Sequence, residues 1–131
     1  MNAKPALAAC LVALFAGSMA APVAARSPVE PGKRQCFYTG AVSNFTAADD
    51  HTLYVRVGVR DVYQFEMLGP CPDMRWSERL ALVAKPSPWI CSGMDADVVT
   101  PSSIGPQRCA VRSLRKLTPA EVAALPRKAR P

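Results

Sequence analysis

Residues 52–68, TLYVRVGVRDVYQFEML, decide the fold of this 131-residue chain. Apolar and polar side chains alternate in both halves of the stretch, on either side of a polar turn between Gly58 and Asp61. A period of two is the pattern of strands buried on one face only, so the stretch predicts an antiparallel β-hairpin. Its apolar face comprises Leu53, Val55, Val57, Tyr63, Phe65 and Met67.

Shorter β-prone runs lie on both sides of the hairpin. They comprise residues 36–45, 79–84, 98–99 and 108–114, and Gly40 predicts a bulge or bend within the first. A short helix is predicted over residues 117–125, LTPAEVAAL, from a capping pattern at its start. The fold class that follows is mainly β (α+β), a small antiparallel sheet or partly open barrel with one short C-terminal helix.

The capping pattern consists of three residues with separate tasks. Thr118 is the predicted N-cap, Pro119 takes the first helical position, and Glu121 completes a capping box with Thr118. A helix this short is not stable alone, so we expect it to dock on the sheet.

Residues 1–25 have the pattern of a secretory signal peptide. A short basic start precedes an apolar run over residues 6–21, which is shorter than the ~20 residues that a membrane-spanning helix needs. We predict cleavage before Arg26, with a cut after Ala20 as the alternative. The product is then expected in the periplasm or released, with no transmembrane span.

Residues 7–10, LAAC, resemble the cleavage box of a lipoprotein. Only six residues, MNAKPA, precede the box, and the apolar run continues beyond it. A lipid-carrying cysteine has to follow its apolar stretch, so we assign Cys10 to the signal peptide and do not expect a lipid anchor.

Four cysteines remain after signal removal, namely Cys36, Cys71, Cys91 and Cys109. An oxidising compartment favours two disulfides. Three pairings are possible, and we favour Cys71–Cys91 with Cys36–Cys109. The chain has no C-x-x-C motif and a single histidine, His51, which argues against a zinc site.

The remaining chain divides into three parts. Residues 26–35 are predicted to be a flexible leader, residues 36–125 a single disulfide-stapled domain, and residues 126–131 a frayed basic tail. The basic charge is concentrated at the end, since residues 108–131 hold seven Lys or Arg and one Glu.

Five residues form the predicted contact surface. Tyr54 shares the polar face of the hairpin with Arg56, and the tail contributes Arg127, Lys128 and Arg130. Each tail charge is worth about 1 kcal/mol near an anionic membrane, so three can assist a contact with an anionic surface but do not anchor the chain.

Other polar clusters fit structural roles. His51, beside Asp49 and Asp50, is interpreted as part of a solvated turn, and Asp95 and Asp97 as turn residues rather than calcium ligands. No G-x-S-x-G elbow and no phosphate-binding loop is present. The residues therefore predict no catalytic, cofactor or metal site.

The aromatic side chains mostly fall on the apolar period of the strands, where packing in the core is expected. Trp76 and Trp89 lie beside the cysteine-bearing turns, and we expect them to cover a disulfide. A stacking surface for sugars or bases is the alternative interpretation of these aromatics.

Several stretches of residues 36–125 also resemble a known family: CF at Cys36, VRVGVRDVY, GPCP, RW, IC and CAVRSLRKLTPAEVAAL. The family consists of small exported bacterial (proteobacterial) proteins classed as a domain of unknown function. The resemblance implies an envelope location and a four-cysteine domain, and it provides no catalytic residue.

Together these features predict an uncharacterised exported envelope protein that is a non-enzymatic binding or structural module. Its expected partner is an envelope protein or an anionic envelope polymer, and no nucleic acid partner is expected because the chain is exported. The alternative is a small exported enzyme or enzyme inhibitor whose site is assembled from loops.

Overall fold

The predicted hairpin is present in the computed structural model, which describes residues 35–131. Strands β3 (Thr52–Val57) and β4 (Asp61–Met67) pair antiparallel, with Leu53 opposite Phe65. The turn between them contains Gly58 at a φ of 61°, a left-handed conformation that glycine adopts without steric cost.

Six strands form one curled antiparallel sheet, and two short strands form a separate ribbon. The remaining elements are β1 (Phe37–Tyr38), β2 (Val42–Ala47), β5 (Ala81–Ala84), β6 (Trp89–Ile90), β7 (Ala96–Thr100), β8 (Gln107–Lys116) and α1 (Pro119–Ala124). The order across the sheet is β2, β3, β4, β8, β7, β5, and the ribbon pairs β1 with β6. The mainly β fold with one short helix is therefore confirmed.

The core lies between the inner face of the sheet and the β1–β6 ribbon. Phe37 of the ribbon is buried against the sheet, with its ring 4.7 Å from that of Tyr63 and 6.2 Å from that of Phe65. Ile90, the register partner of Phe37, is fully buried beside it. The apolar face predicted from the hairpin is thus the floor of this core.

A tight backbone turn packs against a β-bulge in β8. Glu66 pairs with Ser113 and Met67 with Val111, so Arg112 is the extra residue. The 3₁₀ turn Gly93–Asp95 packs on this bulge, where a Cβ at position 93 would lie 2.5 Å from main-chain atoms of residues 112 and 113. Only glycine fits such a close approach of two backbones.

The helix begins as its capping pattern predicts. The Thr118 side chain accepts a hydrogen bond from the Glu121 main-chain N–H at 3.2 Å, and the Glu121 carboxylate accepts one from the Thr118 N–H at 2.7 Å. Arg115 on β8 also pairs with Glu121 at 2.8 Å, which fixes the helix start to the sheet.

The basic tail is ordered rather than frayed. Residues Arg127–Ala129 form a 3₁₀ turn against β2, with Ala129 and Pro131 buried. The Thr46 hydroxyl donates to the Arg130 main-chain oxygen at 3.3 Å. The prediction of a frayed end failed because charge count alone does not reveal these contacts with the sheet.

Two disulfides are present, but the favoured pairing was wrong. The bonds are Cys36–Cys91 and Cys71–Cys109, with Cα–Cα distances of 4.1 and 5.7 Å. The ribbon register, Phe37 opposite Ile90, places Cys36 beside Cys91.

The second bond follows from strand pairing in the same way. The chain leaving β4 stays beside β8, since the Leu68 N–H donates to the Ala110 oxygen at 2.8 Å, and this brings Cys71 to Cys109. The pairing of the strands, rather than the length of the loop that each disulfide closes, determines which cysteines bond.

The predicted signal peptide, Cys10 and nearly all of the predicted leader lie outside the described residues. Within residues 35–131, no helix is long and apolar enough to cross a membrane.

Candidate functional site

Three large aromatic side chains stand out from the surface. Trp76 is 79% exposed, Trp89 is 53% exposed and Tyr38 is 47% exposed. Core packing is therefore not found for Tyr38, and the expectation that Trp76 covers a disulfide is wrong, because a side chain that is 79% exposed packs on little. An indole exposed to water does not gain the free energy that burial of its apolar surface would provide, so such positions are candidates for ligand contact.

Trp76 projects from a turn that is anchored from below. The turn begins at Cys71, which is fully buried, bonded to Cys109, and donates its N–H to the Asp50 oxygen at 2.8 Å. Met74 fills the core beneath the turn and is 1% exposed. Trp76 thus projects outward from a backbone that is fixed both by a disulfide and by apolar packing beneath it.

The turn is further closed by hydrogen bonds around Asp73. Asp73 adopts a left-handed conformation with a φ of 64°, and its main-chain oxygen accepts the Ser77 hydroxyl at 2.7 Å. The Arg75 guanidinium lies 5.4 Å from the centre of the Trp76 ring, a cation–π arrangement. These contacts help to fix the backbone of the turn from which the indole projects.

A shallow open groove of about 600 Å³ lies beside the indole. One wall is the Trp76 turn with the side chains of Asp73, Glu78 and Arg79. The other wall is the segment 101–103, which carries two serines. We call this cavity the Trp76 groove, and its size falls within the roughly 300–1,000 Å³ of small-ligand sites.

The segment 101–103 is held in place by its own hydrogen bonds. The Ser102 hydroxyl donates to the Gly105 oxygen at 2.7 Å and accepts the Ile104 N–H at 3.4 Å. The segment follows directly on Thr100, the last residue of β7. The second wall of the Trp76 groove is therefore attached to the sheet.

A second groove of about 360 Å³ lies on the other side of the same turn. It is lined by Pro70 and Pro72 of the turn and by Gln107 and Arg108 at the start of β8. The Gln107 side-chain oxygen is buried and, among the described residues, has no hydrogen-bond partner. An unsatisfied buried acceptor costs free energy of folding, and because this oxygen is closed to solvent it is not a contact point for a ligand.

The other exposed aromatic pair lies on the ribbon. Tyr38 and Trp89 are register partners with ring centres 5.7 Å apart. Gly40 lies under the Tyr38 ring, because a Cβ at position 40 would come within 2.5 Å of that ring. The exposed Cys36 and its disulfide partner adjoin this pair in sequence.

Comparison with known families covers the whole chain. Residues 1–131 match the model of a family described as a family of unknown function (DUF6491). The chain belongs to this family. Comparisons with curated proteins and with solved structures each found no significant match. The predicted resemblance to a family of unknown function is confirmed, while the exported and bacterial character of the family stays a prediction.

The predicted contact surface of this DUF6491 chain is partly used within the fold. Arg56 donates through Nε and Nη2 to the main-chain oxygen of Pro131. Arg130 donates to the main-chain oxygens of Ala123 and Leu125. Arg56 therefore holds the chain end on the sheet, and Arg130 ties it to the C-terminal end of α1.

The other three predicted contact residues lie on the same side of the sheet. Tyr54 is half-buried and pairs in register with Thr46 and Gln64, while Arg127 and Lys128 are exposed. The contact surface as a whole stays a prediction. Of its members, Arg127 and Lys128 present their charge to solvent.

The polar clusters of the DUF6491 chain have structural partners. His51 is exposed in a turn where the Asp49 carboxylate accepts the main-chain N–H groups of His51 and Thr52, each at 2.8 Å. Burial raises the pKa of Asp49, but these hydrogen bonds outweigh it and the net pKa is lowered. Asp95 accepts the N–H groups of Cys91 and Ser92.

Asp97 is a nearly buried carboxylate between two cations. Its side chain is 10% exposed and lies 2.7 Å from the Lys85 ammonium and 3.6 Å from the Arg108 guanidinium. Asp97 therefore joins the end of β5 to the start of β8. Within residues 35–131, no group of three or more His, Cys, Asp or Glu is arranged to hold a metal ion.

One further ion pair holds the hairpin to β8. The Lys116 ammonium lies 2.7 Å from the Asp61 carboxylate, and this hydrogen bond raises the pKa of Lys116. Burial raises the pKa of the neighbouring Tyr63 hydroxyl. Both shifts arise from contacts that join strands.

Proposed function

We propose that this chain is an exported, non-enzymatic binding module of the bacterial envelope that acts by contact with an envelope polymer. The observation that supports this proposal is the 79% exposure of Trp76 on a turn fixed by a buried disulfide. A rigid exposed aromatic loses little conformational entropy when a ligand covers it. The same geometry is therefore suited to surface recognition.

The charge around the Trp76 groove bears on which polymer fits. The wall formed by the Trp76 turn has two carboxylates, Asp73 and Glu78, and the Arg79 guanidinium, while the Arg75 guanidinium lies 5.4 Å from the indole ring. These charges balance, so the groove offers no net positive charge to a strongly anionic chain. Anionic material is better matched by the exposed Arg127 and Lys128 of the tail, which assist contact elsewhere on the surface.

The binding test is co-sedimentation with insoluble envelope polymer. The purified chain is mixed with isolated cell-wall sacculi, and bound protein is measured against polymer concentration. We expect saturable retention that falls about tenfold or more in Trp76→Ala, because a stacked aromatic contributes on the order of 1–3 kcal/mol. Trp89→Ala is the matched control and keeps its retention. Absence of saturable retention would refute the proposal.

Export is tested by intact mass spectrometry of the native protein. We expect a chain that begins at Arg26 and takes up no alkylating reagent unless it is first reduced. The two disulfides support this expectation, since such bonds persist in oxidising compartments. Retention of Met1 together with alkylation of the cysteines would contradict export.

A further inference from the structure

We propose that the Trp76 groove binds a neutral or N-acetylated oligosaccharide, with one sugar ring stacked on the indole. This inference rests on the proposed function, because it names the chemistry of the polymer that the module contacts. It depends on two observations, which are the exposed indole and the charged side chains of Asp73, Glu78 and Arg79 along the groove, which we call the rim.

The indole provides the apolar surface that fits one face of a sugar ring. A pyranose ring has one face of C–H groups, which packs on a flat aromatic surface and leaves the hydroxyls at its edge free. Among the described residues that line the groove, Trp76 is the one large apolar side chain, and it is 79% exposed. A lipid chain or an apolar peptide segment needs a longer apolar track than a single indole offers.

The rim provides polar groups that can bond the sugar hydroxyls. The carboxylates of Asp73 and Glu78 accept hydrogen bonds from sugar hydroxyls, and the Arg79 guanidinium donates to them. Charged partners make these hydrogen bonds stronger than neutral ones. The Arg75 guanidinium also lies 5.4 Å from the Trp76 ring, so two carboxylates are balanced by two guanidinium groups. This balanced charge suits a neutral ligand better than nucleic acid or polyphosphate, whose backbones require a basic surface.

The test uses the two tryptophans as separate reporters. The sequence has only two, so Trp89→Phe leaves Trp76 as the sole indole. This variant is titrated with the N-acetylglucosamine trimer and with the glucose trimer cellotriose, following tryptophan emission, and wild type is titrated by calorimetry. We expect a saturable change in Trp76 emission with at least one trimer. The reciprocal variant, Trp76→Phe, is expected to show none.

Affinity measurements assign the groups. Trp76→Ala is expected to bind the trimers at least about fivefold more weakly, because stacking on an aromatic is worth about 5- to 150-fold in affinity. Its thermal midpoint should stay close to that of wild type, because the side chain is exposed.

Three outcomes would overturn the inference. These are no saturation by either trimer at about 10 mM, equal affinity in wild type and Trp76→Ala, and an equal loss in Trp89→Ala. Trp76-dependent retention on sacculi without trimer binding leaves the binding module intact and refutes only its sugar specificity.

Discussion

Substitution of Gly93 by alanine is the sharpest test of how the sheet is assembled. The 3₁₀ turn that contains Gly93 packs directly on the β8 bulge at Arg112. A methyl group at position 93 would lie 2.5 Å from the carbonyl carbon and oxygen of Arg112 and from the nitrogen of Ser113. All three are main-chain atoms, so the clash is relieved only by moving the turn or the strand.

The expected cost follows from overpacking. Extra methyl groups in a well-packed core cost roughly 1–3 kcal/mol, and occasionally more. Because the obstacle at Gly93 is backbone of a central strand, we expect about 3 kcal/mol, a large share of the roughly 5–15 kcal/mol that holds a domain folded. For a domain of this size that corresponds to a fall in thermal midpoint of about 10–20 °C.

Two other glycines supply matched controls. Nothing lies within 4 Å of a Cβ at Gly69 or Gly58, and only Gly58 of these two has a positive φ, 61°. Gly69→Ala should be close to neutral, and Gly58→Ala should cost about 1 kcal/mol from backbone strain alone. Urea and thermal unfolding, followed by circular dichroism, rank the three variants.

The reasoning would be refuted if Gly93→Ala unfolded within 2 °C of Gly69→Ala, about the uncertainty expected for a neutral substitution. Such a result would mean that the turn does not press on the bulge. A loss confined to Gly58→Ala would instead point to turn geometry as the main constraint.

Three further predictions concern the disulfides, the helix start and the chain end. Mild reductant should open the exposed Cys36–Cys91 bond before the bond that includes a fully buried cysteine, as alkylation and peptide mapping will show; simultaneous opening would contradict this order. The Thr118 N–H and Arg115 lower the pKa of Glu121, so its stabilisation is present above its ordinary value of 4.5 and is lost as pH falls through the lowered value. Glu121→Gln should therefore flatten urea stability between pH 7 and pH 2, and an unchanged slope would exclude this role. Arg56→Ala should release the chain end from the sheet and speed amide hydrogen exchange there. Unaltered exchange would show that Arg56 does not hold the chain end.

The hairpin and the helix start could be predicted because their signals are local. Leu53, Phe65 and Met67 repeat at the strand period, and Thr118 with Glu121 forms a capping box whatever lies elsewhere. Each of these patterns fixes a conformation through neighbouring residues. Such signals need no knowledge of which strand pairs with which.

The disulfide pairing could not be predicted because it is set by long-range pairing. Cys36 meets Cys91 only because β1 and β6, separated by about 50 residues, form a ribbon. Loop-closure entropy gives little guidance, since it changes slowly with loop length and stabilises either pairing by about 4 kcal/mol per bond. The order of the chain end was missed for the same reason, because Arg56 and Pro131 are 75 residues apart.

Trp76 was misjudged because the sequence around it has no apolar period to place it. Its neighbours, PDMRWSER, are mostly polar, and that polarity is the signal of an exposed position rather than of a side chain that covers a disulfide.

The buried disulfide connects stability to the candidate site. Cys71–Cys109 joins the turn that carries Trp76 to the strand that carries Gln107, so one covalent bond fixes both grooves relative to each other. The segment between β4 and β5 has little regular structure beyond one 3₁₀ turn. Without this bond its shape would depend on Met74 and a few main-chain hydrogen bonds. Loss of Cys71–Cys109 should therefore impair recognition beyond its effect on folding, whereas loss of Cys36–Cys91 should act on the ribbon alone.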